Sequence, residues 1–188
     1  MDDDSSRNQT TKKRILLVYT GRLHQEIPGN ITHLTVGPFV ERIASDRFGH
    51  CQSLCSITIP ETVETIGTKA FFKCYSLKHM HLQEGLKIIE QQAFQYCKSL
   101  VDVELPNGLK LIEDIAFFGC QSLRTISIPE TVISIGAKAF TWCNSLESIS
   151  IPATVKIIEE ESFRGCSSLV DVYLHDELHK IGYAAFQY

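Results

Sequence analysis

Two histidines and two carboxylates lie at a fixed spacing in the middle of the chain, and their side chains are of the types that take part in metal or acid–base chemistry. His79 and His81 flank one apolar residue, and Asp102 and Glu104 flank another 23 residues later. Zinc accepts histidine nitrogen and carboxylate oxygen, so the four form a candidate metal site. The same groups are also typical of pH-sensitive ion pairs, because histidine gains its charge near neutral pH. The third interpretation is a set of exposed polar side chains without a ligand. It is favoured because exposed ion pairs contribute little to stability.

The seven cysteines are the other reactive set. Only Cys55 lies outside a series in which the tetrapeptide C-x-S-L recurs every 23 residues, at Cys51, Cys74, Cys97, Cys120, Cys143 and Cys166. On stacked turns, equivalent side chains point the same way rather than toward each other, and free cysteine packs as a small hydrophobe. The series therefore predicts buried free thiols. The chain has no C-x-x-C motif, nucleophile–base pair or phosphate-binding glycine loop, so neither a cofactor nor enzymatic activity is expected.

These residues belong to a repeat that reads L-x-x-I-x-I-P-x-x-V-x-x-I-G-x-x-A-F-x-x-C-x-S. The I-x-I segment alternates with period two and predicts a strand, which the proline ends because it has no N–H to donate. The second half spaces its apolar residues by three and four, which predicts a short helical turn. One such unit cannot bury its own apolar face, so the repeats must stack. The expected fold is an α/β solenoid with a parallel sheet and helical turns behind it.

The motifs L-x-x-I-x-I-P, I-G-x-x-A-F and C-x-S-L recur in phase over residues 31–188 and resemble the BspA-type leucine-rich repeat. The resemblance implies a curved, right-handed solenoid of about seven repeats with one parallel sheet on its concave face. It also implies binding of proteins or surface ligands and no catalysis. The asparagine ladder of other leucine-rich repeats is absent.

The repeat divides the chain into three parts. Residues 1–14 are polar and charged and predict a disordered tail. Residues 15–30 contain one short apolar run and predict a capping strand and turn. The solenoid follows as repeats 31–53, 54–76, 77–99, 100–122, 123–145, 146–168 and the incomplete 169–188. Since an open sheet edge invites pairing, self-association through the uncapped C-terminal end is a further prediction.

Binding residues are expected where the repeat varies on the exposed side of the strands. These positions flank the second apolar residue of each strand and define what we call the concave face. The partner-binding candidates are Ser56, Thr58, His79, His81, Asp102, Glu104, Thr125, Ser127, Ser148, Ser150, Asp171 and Tyr173, with His33 and Thr35 at the same positions of the first copy. This small, polar surface predicts a non-catalytic scaffold that binds a protein partner.

Composition limits the kind of partner. The chain has 188 residues, a formal net charge of −4 and a sequence pI near 6.0, whereas nucleic-acid binding requires clustered Lys and Arg. The longest apolar run near the N-terminus, residues 15–19, is too short for an export signal or a membrane span. The sequence therefore predicts a cytoplasmic protein that binds neither nucleic acid nor membrane. If the sequence is a fragment of an exported protein, the alternative is cell-surface adhesion or ligand binding.

Overall fold

The computed structural model describes residues 14–22 and 24–188. Within them the chain forms short parallel strands and no helix. The strands are β1 (Leu16–Tyr19), β2 (His33–Val36), β3 (Arg42–Ile43), β4 (Ser56–Thr58), β5 (Thr65–Ile66), β6 (His79–His81), β7 (Ile88–Ile89), β8 (Asp102–Glu104), β9 (Leu111–Ile112), β10 (Thr125–Ile126), β11 (Ser134–Ile135), β12 (Ser148–Ser150), β13 (Ile157–Ile158), β14 (Asp171–Tyr173) and β15 (Lys180–Ile181). The molecule is a parallel-strand solenoid with two strands in each turn.

The first strand of each turn forms the concave face. These strands pair as three separate sheets, β1-β2-β4, β6-β8-β10 and β12-β14, rather than as the one continuous sheet expected. Strands of two to four residues share only a few ladder hydrogen bonds, so a small shift between neighbouring turns breaks the pairing. The count of about seven repeats is not confirmed, since the chain completes six turns between β2 and β14.

The second half of each turn contains a two-residue strand and tight turns, and the predicted helical turn is wrong. The strands β3, β5, β7, β9 and β11 form one five-stranded sheet, and β13 pairs with β15. After β5, the N–H groups alternate between two kinds of partner. Phe71 donates across to Ala93 of the next turn (2.8 Å), whereas Ala70 donates three residues back to Gly67 (3.0 Å).

Left-handed residues make this alternation incompatible with a helix. Lys69 (φ 55°) and Lys73 (φ 59°) interrupt the right-handed backbone, and the same two positions have positive φ in the other turns. A spacing of three and four is therefore produced by two successive tight turns instead of one helical turn. Sequence periodicity alone does not separate these cases, because both place the apolar residues on one side.

A ladder of phenylalanine rings runs through the core. Consecutive rings lie 5.2 to 5.5 Å apart between centroids, with their planes within 15° of parallel, from Phe48 through Phe71, Phe94, Phe117, Phe140 and Phe163 to Phe186. At the N-terminal end Tyr19 packs edge-on against Phe48. Such stacking adds to the burial of apolar area and fixes the register of successive turns.

The repeat cysteines are free and buried, which confirms the prediction made from their spacing. Each thiol from the second onward donates to the carbonyl of a phenylalanine in the preceding turn, as Cys97 Sγ does to Phe71 at 3.2 Å. The position thus requires a small side chain that also donates a hydrogen bond. Burial raises the pKa of Cys97 and of Cys166 to about 12, so these thiols stay protonated.

The two ends of the described solenoid differ. β1 pairs parallel with β2 at the N-terminal end, where the Arg47 guanidinium lies 5.1 Å from the Tyr19 ring centroid and donates to the Gln25 carbonyl. Residues 1–13 of the predicted tail lie outside the described residues. The C-terminal turn exposes large apolar side chains, namely Val170, Val172, Tyr173, Leu174, Ile181, Tyr183 and Tyr188.

Candidate binding face

The concave face presents two rows of side chains to solvent. Strand residues alternate between the core and the surface, so one row comes from the position before the inward residue and the other from the position after it. The first row is His33, Ser56, His79, Asp102, Thr125, Ser148 and Asp171, and the second is Thr35, Thr58, His81, Glu104, Ser127, Ser150 and Tyr173. The parallel register sets members of each row side by side, as at His33 and Ser56.

The register also brings the two histidines onto the two carboxylates, as predicted. His79 lies opposite Asp102, with Nδ1 and Oδ2 2.7 Å apart, and His81 Nδ1 contacts Glu104 Oε2. All four side chains are well exposed, from 42% for Asp102 to 70% for Glu104. Solvent-exposed pairs of this kind contribute at most about 1 kcal/mol to stability. Their main structural effect is to orient the carboxylates on the face.

These four residues form two separate pairs rather than one ligand set. Across residues 14–22 and 24–188, no group of three or more His, Cys, Asp or Glu side chains is placed to hold a metal ion. A stable zinc site takes three or four protein ligands around one point. The geometry therefore gives the metal interpretation no support.

The hydroxyl-bearing part of the face forms a trough. An open groove of about 540 Å³ runs over β8 and β10, between Asp102 and Glu104 on one side and Thr125 and Ser127 on the other. A second groove of about 260 Å³ continues from the same β10 residues across β12 to Tyr173. Small side chains on β10 and β12 leave this space open, while the residues between them, such as Ile126 and Ile149, are buried.

The carboxylates on this face are not balanced by basic residues. Neither row contains Lys or Arg, and three members are carboxylates: Asp102, Glu104 and Asp171. The nearest cations in the sequence, Lys78 and Arg124, precede their strands by one residue and lie outside the rows. The two rows therefore carry three carboxylates and no Lys or Arg to balance them.

A second acidic row was missed by the sequence reasoning. The third residue after a row-two position is an exposed carboxylate in four of the seven copies, and Pro38, Asn107 and Ala153 occupy it in the others. We call the four carboxylates the acidic rim: Glu61, Glu84, Glu130 and Asp176. In the described part of the chain, none of these four is in an ion pair within 4.0 Å. The signal was available, since the rim recurs at the first position after the repeat proline or its substitute.

In the part of the chain that the structure describes, no helix has the length and apolar composition needed to cross a membrane. No curated protein matches the sequence. The chain is similar in structure to a T. pallidum leucine-rich repeat protein, with 28% sequence identity, a TM-score of 0.79, and coverage of 89% of this chain and 77% of that one.

A second solved structure and a family model also match the chain. A leucine-rich cell-surface protein from Faecalibacterium prausnitzii shares 21% identity over 76% of this chain and 59% of its own, with a TM-score of 0.46. The family model of the BspA-type leucine-rich repeat region matches in six copies, over residues 26–144 and 89–188. Together with the 23-residue solenoid turn, this match establishes that the chain belongs to the BspA-type leucine-rich repeat family.

Proposed function

We propose that this chain is a non-catalytic scaffold that binds a partner protein through its concave face. One observation carries the proposal: two rows of varied polar side chains face solvent on strands whose inward residues, such as Val103, Ile126 and Ile149, pack in the core. Solenoid folding depends on the inward residues, and extended concave surfaces of this kind serve as binding sites in repeat proteins. The outward residues are thus free to vary with the ligand.

The reactive groups support binding rather than catalysis. The buried ladder thiols are held protonated, as the pKa of about 12 at Cys97 illustrates, and a protonated thiol is a poor nucleophile. The two His–carboxylate pairs stand in open solvent, where electrostatic stabilisation of a transition state is weak. The trough is shallow and open, which suits a flat or linear protein partner better than an enclosed small molecule.

Affinity capture from native extract tests the proposal. The variant Ser127→Arg/Ser148→Arg fills the trough with two long side chains. The matched control, Gln91→Arg/Gln121→Arg, adds the same charge at exposed or half-exposed positions of other surfaces. We expect a specific partner, identified by mass spectrometry, to be captured by wild type and control and lost by the trough variant. Equal capture by all three proteins would contradict binding through this face.

The compartment decides which ligand the face meets. We propose a cytoplasmic protein partner, and the alternative is a ligand at the cell surface. Fractionation of native cells with an antibody against the chain separates the two: recovery with the soluble cytoplasmic fraction favours the first, and labelling of intact cells favours the second.

A further inference from the structure

The concave face around the trough has a defined charge pattern along the solenoid axis. Asp102 on β8 and Asp171 on β14 belong to the same row and are separated by three strand steps. Although β10 and β12 belong to separate sheets, the Glu147 N–H donates to the Arg124 carbonyl (3.2 Å) just before them and keeps the two turns in contact. With about 4.8 Å between neighbouring turns, the backbone positions of the two aspartates lie about 14 Å apart. Between them the row holds only Thr125 and Ser148, both small and hydroxyl-bearing.

This spacing matches an extended peptide lying along the axis. A chain in β conformation rises about 3.3 Å per residue, and its alternate side chains point to the same side. Residues i and i+4 therefore point the same way and lie about 13 Å apart, close to the separation of the two carboxylates. Residue i+2 lies between them, above the small hydroxyls.

The carboxylates have the geometry to accept cations from such a segment. The contact with His79 uses Oδ2 of Asp102, so Oδ1 remains to accept from an ammonium or guanidinium. At the other end Tyr173, 61% exposed, lies two residues from Asp171 on the same strand face and offers its ring to the same cation. The acidic rim adds long-range attraction of the same sign.

We propose that the trough binds an extended, cationic segment of a partner protein in which two Lys or Arg residues are separated by three others, the middle one small. This inference rests on the proposed function and specifies the partner class for the same face. The first basic residue contacts Asp102, the second contacts Asp171, and the small residue between them hydrogen-bonds the hydroxyls of Thr125 and Ser148.

Two labelled nine-residue peptides test this spacing by fluorescence anisotropy against the full chain at low ionic strength. Both consist of Gly, Ser and Thr with two lysines, placed at positions 3 and 7 in one and at positions 3 and 4 in the other. In an extended peptide only the first presents both lysines to the same side, because adjacent side chains point to opposite sides. We expect it to bind roughly fivefold more tightly, the factor for one exposed charge pair of about 1 kcal/mol.

Asp102→Asn/Asp171→Asn is the diagnostic variant, and both substitutions conserve size. We expect it to lose the preference between the peptides. The control Glu41→Gln/Asp46→Asn removes the same charge from exposed positions elsewhere and should keep the preference. Equal affinities for wild type, or a preference that survives in the diagnostic variant, would overturn the proposal.

The extract capture described above separates the two possible failures. If the trough variant loses its partner while the peptides bind wild type equally, the face binds protein by other chemistry and only the cationic segment is refuted. If the trough variant captures the partner as well as wild type does, the proposed binding of a partner protein through this face is refuted too.

Discussion

Removal of one buried thiol should change how the stability of the solenoid depends on pH. Burial raises the pKa of Cys97 from 9.0 to about 12. At pH 7 the thiol is protonated in both the folded and the unfolded chain, so ionisation has no effect on stability. Between pH 9 and 12 the unfolded chain releases the proton while the folded chain retains it, so stability falls as the pH rises.

The magnitude follows from the pKa values. At pH 10 an unfolded thiol with a pKa of 9.0 is mostly ionised, which lowers the free energy of unfolding by roughly 1 kcal/mol for Cys97. Burial also raises the pKa of the other fully buried ladder thiols, so their ionisation on unfolding lowers stability in the same direction: Cys74, Cys120, Cys143 and Cys166. The solenoid should therefore be less stable at pH 10 than at pH 7.

The Cys97→Ala variant isolates one of these contributions. Its free energy of unfolding, measured with urea and far-UV circular dichroism, should fall by roughly 1 kcal/mol less between pH 7 and pH 10 than that of wild type. The missing hydrogen bond and packing lower stability at both pH values and cancel in the difference. Cys55→Ala, outside the ladder, is the control and should behave as wild type. An undiminished pH effect in Cys97→Ala would refute the reasoning.

Three further predictions concern the ladder, the thiols and the exposed end. Phe94→Ala, between two stacked rings, should cost about 3 to 5 kcal/mol in urea unfolding, and Phe186→Ala, with one stacked neighbour, less than half of that; equal costs would contradict a role for stacking on both sides. Native protein titrated with a thiol reagent should react at Cys55 first, with the remaining thiols reacting only on unfolding; fast reaction of several thiols would contradict their burial. Light scattering should detect self-association that Val172→Lys abolishes and Ile133→Lys, on another surface, does not; a wild-type monomer at high concentration would count against it.

Much of the fold could be predicted because the repeat is regular. Each 23-residue unit must bury its leucines, isoleucines and phenylalanine against its neighbours, which fixes stacking, strand direction and the in-register pairing of His79 with Asp102. Periodicity did not reveal the second strand of each turn. The left-handed residues that break a helix there, such as Lys69 and Ile115, belong to residue types with no preference for positive φ. The local sequence therefore does not predict their conformation.

The candidate site was likewise predictable only in part from the sequence. The rows of the concave face follow from alternation, and the sequence identified their members. The acidic rim beside them, from Glu61 to Asp176, follows the same repeat but was not recognised as part of the surface. Whether these residues bind a partner stays a prediction that the capture and peptide experiments test.

The sequence by itself determined that equivalent residues form columns, since a fixed repeat length allows no other stacking that buries every apolar position. The tertiary structure decided what each column does. It divided the concave strands into three sheets and assigned the cysteine thiols to carbonyls one turn away. These outcomes depend on backbone conformation and on distances between turns, which residue types and spacing alone do not specify.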